Sequence, residues 1–97
     1  MDKTMVIAIL KLILFINNSN SLKTKRMVLQ SLKTRLRNRF NIAISEVGDE
    51  DKWQKSTLAI VGVQKEKRFM DRQFSQIINF IENFNQASIV DYEMELI

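Results

Sequence analysis

Asn20–Asn41, NSLKTKRMVLQSLKTRLRNRFN, reads as one amphipathic helix carrying seven basic residues and no acidic one. Leu29, Leu32, Leu36 and Phe40 follow one another at intervals of three or four, with Leu22 earlier in the same row. That spacing makes a single apolar stripe on a helix of 3.6 residues per turn. Ser21, or Asn20 before it, offers an N-cap oxygen, and Asn38 to Asn41 marks the far end. Arg26, Lys33 and Arg37 line one flank of the stripe with Lys23 beyond them; Arg35 and Arg39 line the other. Two readings of these flanks stand. Long basic side chains cover apolar edges while staying solvated, and an unbroken basic face is also a surface for a polyanion. Basic helix faces commonly carry Glu or Asp four residues away. This one carries none.

On either side of the helix the pattern changes to that of strands. Met5–Ile16 is apolar on both faces except for Lys11, as expected of a central strand. Ile42–Val47 reads as a short strand, Gly48–Lys52 as its hairpin turn, and Trp53–Val63 as the returning strand. From about Glu66 to Phe84 the helical spacing resumes with Met70, Phe74, Ile77, Ile81 and Phe84, and Asn85 is a candidate for a left-handed helix end. Val90, Tyr92, Met94 and Leu96 then alternate with Asp91, Glu93 and Glu95, the mark of a half-buried strand. The order βαββαβ, with right-handed crossovers, predicts an α+β, ferredoxin-like domain over residues 1–97. Its four-stranded antiparallel sheet has the order 4-1-3-2, with both helices on one face.

Composition bounds the chemistry. No Cys and no His occur, which removes disulfides, thiolate sites, the commonest general base and the commonest metal ligand. The net charge of +4 is unevenly spread. Residues 1–45 hold nine basic residues and one acidic, while residues 46–97 hold six and ten. A basic half suggests a phosphate-bearing partner; the acidic half limits nonspecific binding. Met5–Ile16 is too short to span a bilayer, and residues 17–21 offer no cleavage site of the signal-peptide kind. The expectation is a cytoplasmic protein that does not associate with membranes.

Two segments, SLKTKR at Ser21–Arg26 and RNRFNIAISEVGDEDKWQKS at Arg37–Ser56, resemble the YlxP-like bacterial family, domain of unknown function 503. The resemblance extends over nearly the whole chain. It implies a ferredoxin-like fold, which the order of elements reaches independently. Genes of that family commonly lie among translation and transcription factor genes, near a ribosome-binding factor, which implies a role around the ribosome or RNA. The family motif usually has Glu where this chain has Thr24, so the capping box and one carboxylate at the helix N-terminus are lost.

Several residues carry both a functional and an architectural reading. Lys25 lies toward the apolar stripe, and Glu46 shares the parity of Ile42 and Ile44, so the two are expected to form a partly covered ion pair between helix and strand. The alternative is a catalytic Lys–Glu pair. Asp49, Glu50 and Asp51 offer oxygen ligands without the spacing of a calcium loop, and a polar hairpin tip accounts for them. Trp53 is expected to plug the edge of the core rather than stack on a base. The third strand, KSTLAIVG at Lys55–Gly62, has none of the aromatics that RNA-recognition motifs stack on bases. Other members of this fold class hydrolyse acyl phosphates with an Arg in the loop after the first strand; Asn17–Ser21 has none. No enzyme, metal or cofactor is therefore expected.

Two binding surfaces remain. The first gathers Lys23, Arg26, Lys33, Arg35, Arg37 and Arg39 of the first helix with Lys65, Lys67 and Arg68 at the start of the second. It suits structured RNA or the ribosome. The second is the open face of the sheet. There Ile7, Ile9 and Ile13 point away from the helices, beside Asp91, Glu93 and Glu95 with Lys11 set to pair, and a homodimer would bury them.

Overall fold

The computed structural model describes residues 4–97; residues 1–3, which the single-domain expectation includes, lie outside it. The chain runs β1 (Val6–Ile16), α1 (Leu22–Arg39), β2 (Ile42–Gly48), β3 (Lys55–Gln64), α2 (Lys67–Glu82) and β4 (Ala87–Leu96). All pairings are antiparallel and the strand order is β2-β3-β1-β4, the expected 4-1-3-2 read from the other edge. The central strand β1 obeys a strict period of two from Ala8 to Ile16. Ala8, Leu10, Leu12, Leu14 and Ile16 are fully buried beneath the helices, together with Leu58 and Ile60 of β3. Each of these Leu and Ile side chains contributes about 1.5–3 kcal/mol on burial.

Ser21 begins α1. Its extended backbone (φ −163°) lets Oγ accept the N–H of Thr24 at 3.0 Å, while its hydroxyl donates to Thr24 Oγ1 at 3.0 Å. Val28, Leu29, Leu32 and Leu36 face the core, and Phe40 closes the helix and packs against it. On α2 the buried row is Met70, Phe74, Ile77 and Ile81. Gly62 of β3 admits α2 closely, since a Cβ there would lie 2.8 Å from Gln73 Oε1 and 3.1 Å from Met70 Sδ.

Both edge strands carry an irregularity at the same end of the sheet. β2 slips between Glu46 and Gly48, leaving Val47 out of register, and β4 slips opposite Ile13/Leu14, leaving Val90 out. Such bulges twist an edge away from further pairing. At that end Asn17, Gln54, Asn85 and Gln86 tie the loops together: Ile16 N–H donates to Gln54 O at 2.8 Å, Asn17 N–H to Gln86 O at 3.0 Å and Asn17 Nδ2 to Asn85 O at 2.9 Å.

Four expectations need correction. β3 begins at Lys55 rather than Trp53, and Trp53 is 56% exposed. It sits in the connecting loop before the first β1–β3 pair, Phe15 with Lys55, so no strand lays its ring over the core. Asn85 does not end α2 in a left-handed conformation; Asn18 and Asp49 are the non-glycine residues with positive φ among those described. β4 is not half-buried either. Val90, Tyr92, Met94 and Leu96 are 40–65% exposed, although Tyr92, Met94 and Leu96 pair with inward-facing Leu12, Leu10 and Ala8. The cause is the path of α2. Its first turns lie over Gly62 of β3, whereas Ile78 and Glu82 lie beside Ile89–Tyr92 of β4, so the helix crosses diagonally and leaves the second half of β4 uncovered. Lastly, Lys11 stands opposite Glu93 in the register but forms no ion pair among the described residues.

A buried network joins the first turns of α1 to the β2–β3 hairpin. Lys25 is fully buried, and its ammonium lies 3.1 Å from Glu46 Oε2. It also donates to the carbonyls of Asp49 (2.8 Å), Glu50 (3.2 Å) and Lys55 (3.2 Å). Glu46 Oε2 in turn accepts the Ser56 hydroxyl at 2.7 Å. Removing one partner of such a buried pair costs about 3–5 kcal/mol, because the other charge is left without compensation. Lys25→Met should therefore destabilise the protein by about 3–5 kcal/mol in chemical denaturation. Glu46→Gln should cost less, since the ammonium keeps three carbonyl acceptors. Equal midpoints for both variants and the parent chain would remove this network from the account.

Candidate nucleic-acid interface

With Lys25 turned inward, the other six basic residues of α1 divide by flank. Lys23, Arg26 and Lys33 lie on the side facing away from α2, together with Arg37, whose Nη2 donates to Ile44 O of β2 at 3.1 Å. Arg35 and Arg39 lie toward α2, and their guanidiniums rest over the rings of Phe84 (5.5 Å) and Phe80 (5.4 Å). Stacking of this kind holds a cation in place without neutralising it.

The partners of these charges separate them into classes. On α2, Lys67 is paired with Asp71 at 2.9 Å and Arg68 with Glu66 at 3.3 Å, so the first turn of that helix is locally neutral. In the hairpin, Lys52 and Lys55 both approach Asp49. Lys23, Arg26, Lys33, Arg35, Arg37, Arg39 and Lys65 have no carboxylate within 4.0 Å among the described residues. The nine basic residues singled out in the sequence therefore differ in their pairing. The six on α1 keep their full charge, and of the three near α2 only Lys65 does. Lys23, Arg26, Met27 and Gln30 also line a shallow depression on the outer face of α1.

Sequence reasoning missed Arg72. It lies 5.9 Å above the ring of Phe69, which Arg68 also covers at 4.8 Å, and it shares a depression with Arg39 at the close of α1. The signal was the i, i+3 spacing of Phe69 and Arg72, which puts both on one side of a helix.

On the open face of the sheet, Ile7, Ile9 and Ile13 are half-buried beside Val61, with Val63 and Phe15 exposed at either end. The acidic loop is organised around Asp49, whose left-handed backbone (φ 60°) is tolerated better by Asp than by most side chains. Its carboxylate accepts the Thr57 hydroxyl at 2.8 Å, with Lys55 and Lys52 at 3.9 and 3.7 Å. Glu50 and Asp51 are exposed, and no group of three potential metal ligands occurs among the described residues. No described helix is long and apolar enough to cross a membrane.

Residues 7–94 match the family model of a protein of unknown function, DUF503. The chain is similar to the uncharacterized protein YlxP of Bacillus subtilis, with 36% identity over 69 residues, 71% of this chain and 75% of that protein. Among solved structures it is similar to the de novo designed protein Foldit4, with a TM-score of 0.54 and 9% identity over 96% of each chain, a likeness of fold alone. A dimeric ferredoxin-like protein from an uncultured marine organism aligns with a TM-score of 0.43 and 15% identity, over 98% of this chain and 89% of that one.

The hydrogen bond from Thr57, followed by the charges of Lys55 and Lys52, holds the Asp49 carboxyl below its ordinary value of 3.8. The native state therefore favours the carboxylate. This stabilisation is complete above pH 3.8 and is lost as the pH falls through the lower native value, because the unfolded chain takes up the proton first. Asp49→Asn should weaken the acid-side fall in stability below pH 3.8, read from denaturation midpoints at several pH values. An unchanged acid limb would assign that fall to other carboxylates.

Proposed function

The chain belongs to the DUF503 family, and within it we propose that this protein is a small non-enzymatic binding module of the cytoplasm that engages structured RNA, with the ribosome as its setting. One observation carries this reading. The outer face of α1 holds exposed Lys23 and Arg26 and half-exposed Lys33 with no carboxylate to neutralise them, whereas the cations at the start of α2 and in the hairpin mostly have one. A cationic row along a rigid helix meets a phosphate backbone through charge, positioning the partner without reading its sequence. Arg37 has a second task in tying α1 to Ile44, so it is a poorer probe of binding than its exposed neighbours.

A second reading rests on a separate observation. The open face carries Ile7, Ile9 and Ile13 with Val63 and Phe15 uncovered beside them, an apolar surface that a second copy of the chain would bury. In this reading the basic helix maintains solubility.

Co-sedimentation with ribosomal subunits and with naked ribosomal RNA tests the first reading. Binding should weaken steeply with salt, and Lys23→Gln with Arg26→Gln should lower the slope of log K against log salt by about one to two units. Lys23→Glu with Arg26→Glu should abolish binding while leaving the fold intact, since both side chains are exposed and Glu at position 23 suits the N-terminal turn of a helix. A protein that stays at the top of the gradient at every salt concentration would refute it. Ile9→Asp, harmless there, should instead dissociate a dimer in analytical ultracentrifugation if the second reading holds.

A further inference from the structure

Between the close of α1 and the exposed side of α2 run two adjoining depressions of about 260 and 500 Å³ that share Arg39, Phe40 and Gln76. Together they fall within the size of small-ligand sites, roughly 300–1,000 Å³. Their lining is chemically unusual for a surface on which charged residues of both signs normally mix. No carboxylate contributes to either. The polar groups are amides, chiefly Asn41, Gln64, Gln73, Gln76 and Asn79, and the cations are Arg39 and Arg72. The guanidinium of Arg39 lies 5.4 Å over Phe80 and that of Arg72 lies 5.9 Å over Phe69, so each wall has a planar cation backed by a ring.

Three of these amides are also uncommitted, whereas Asn79 Oδ1 accepts Asn83 Nδ2 at 3.4 Å. Asn41, Gln64 and Gln76 form no side-chain hydrogen bond among the described residues. Gln73 lies over Gly62 with its Oε1 buried and unpaired, an arrangement that costs about 1–3 kcal/mol as it stands. That oxygen is turned to the sheet beneath α2, so the groove presents the exposed amides of Asn41 and Gln76.

We infer that this groove takes an unpaired nucleobase from a single-stranded segment of RNA. The inference rests on the RNA reading above and deepens it by naming the part of the RNA recognised. Unpaired bases are recognised by stacking on aromatic rings or on guanidinium planes and by hydrogen bonds to their edges. Asn and Gln carry a donor and an acceptor side by side and match base edges in two-point contacts. The two Arg–Phe stacks supply the planes, and the exposed amides of Gln76 and Asn41 line the same groove. A duplex cannot present its bases to such a site, since they are stacked and paired. The exposed row on α1 would then hold phosphates, and the groove would select single strands.

The test compares a 12-nucleotide single-stranded RNA with a blunt duplex of the same length by fluorescence anisotropy at one salt concentration. The parent chain is set against Asn41→Ala with Gln76→Ala. Both residues are exposed and uncharged, so fold and Coulomb field are preserved. The parent chain should prefer the single strand, and the double variant should lose roughly fivefold of single-strand affinity for each amide removed, with duplex binding and salt slope unchanged. Equal binding of both RNAs by the parent chain, an unaffected variant, or equal weakening toward both RNAs would overturn the groove. In those cases loss of binding in Lys23→Glu with Arg26→Glu would leave the α1 reading standing. Failure of the parent chain to bind either RNA would overturn both.

Discussion

A single buried ammonium governs how the first helix sits on the sheet. Seven basic residues lie on α1, and one of them, Lys25, points into the core. Burying an ammonium costs several kcal/mol unless its hydrogens find acceptors and its charge finds a partner. Glu46 provides the charge, and three carbonyls of the β2–β3 hairpin provide the rest. Because those acceptors are main-chain groups, the network constrains the path of the hairpin as well as the helix. It also fixes the rotation of α1 about its axis. Once Lys25 faces inward, helical periodicity turns Lys23 to the opposite side and Arg26 and Lys33 to one flank.

The outward face and the groove beyond it differ in what their chemistry can distinguish. Charges on flexible stems attract any polyanion, and a phosphate backbone presents nearly the same pattern whatever its bases. Amides and stacked guanidiniums distinguish shapes and edges. The fold supplies both on its helix layer because α1 ends where the exposed side of α2 passes it, with Arg35 and Arg39 bridging to Phe84 and Phe80. The first turn of α2 contributes little free charge, since Glu66 and Asp71 neutralise Arg68 and Lys67. The sheet's other face remains apolar at its centre, where Ile7, Ile9 and Ile13 flank the solitary Lys11.

Periodicity by itself determined the sequence of elements, the buried row of α2, Leu29, Leu32 and Leu36 of that on α1 but not Val28, the inner and outer faces of β1, and the inward parity of Lys25 and Glu46. Each follows from repeats of 3.6 or 2.0 residues that local backbone geometry imposes on any chain. Tertiary structure decided what periodicity does not encode. Tyr92, Met94 and Leu96 alternate as a half-buried strand should, yet stand exposed because α2 crosses the sheet diagonally. Trp53 looks like a core plug and lies outside it because pairing starts two residues later. Lys67 and Arg68 are paired with carboxylates two to four residues away, but which amides gather around Arg39 and Arg72 depends on contacts between residues distant in the chain. Those contacts are set by helix crossing and loop path, and a one-dimensional pattern holds no record of either.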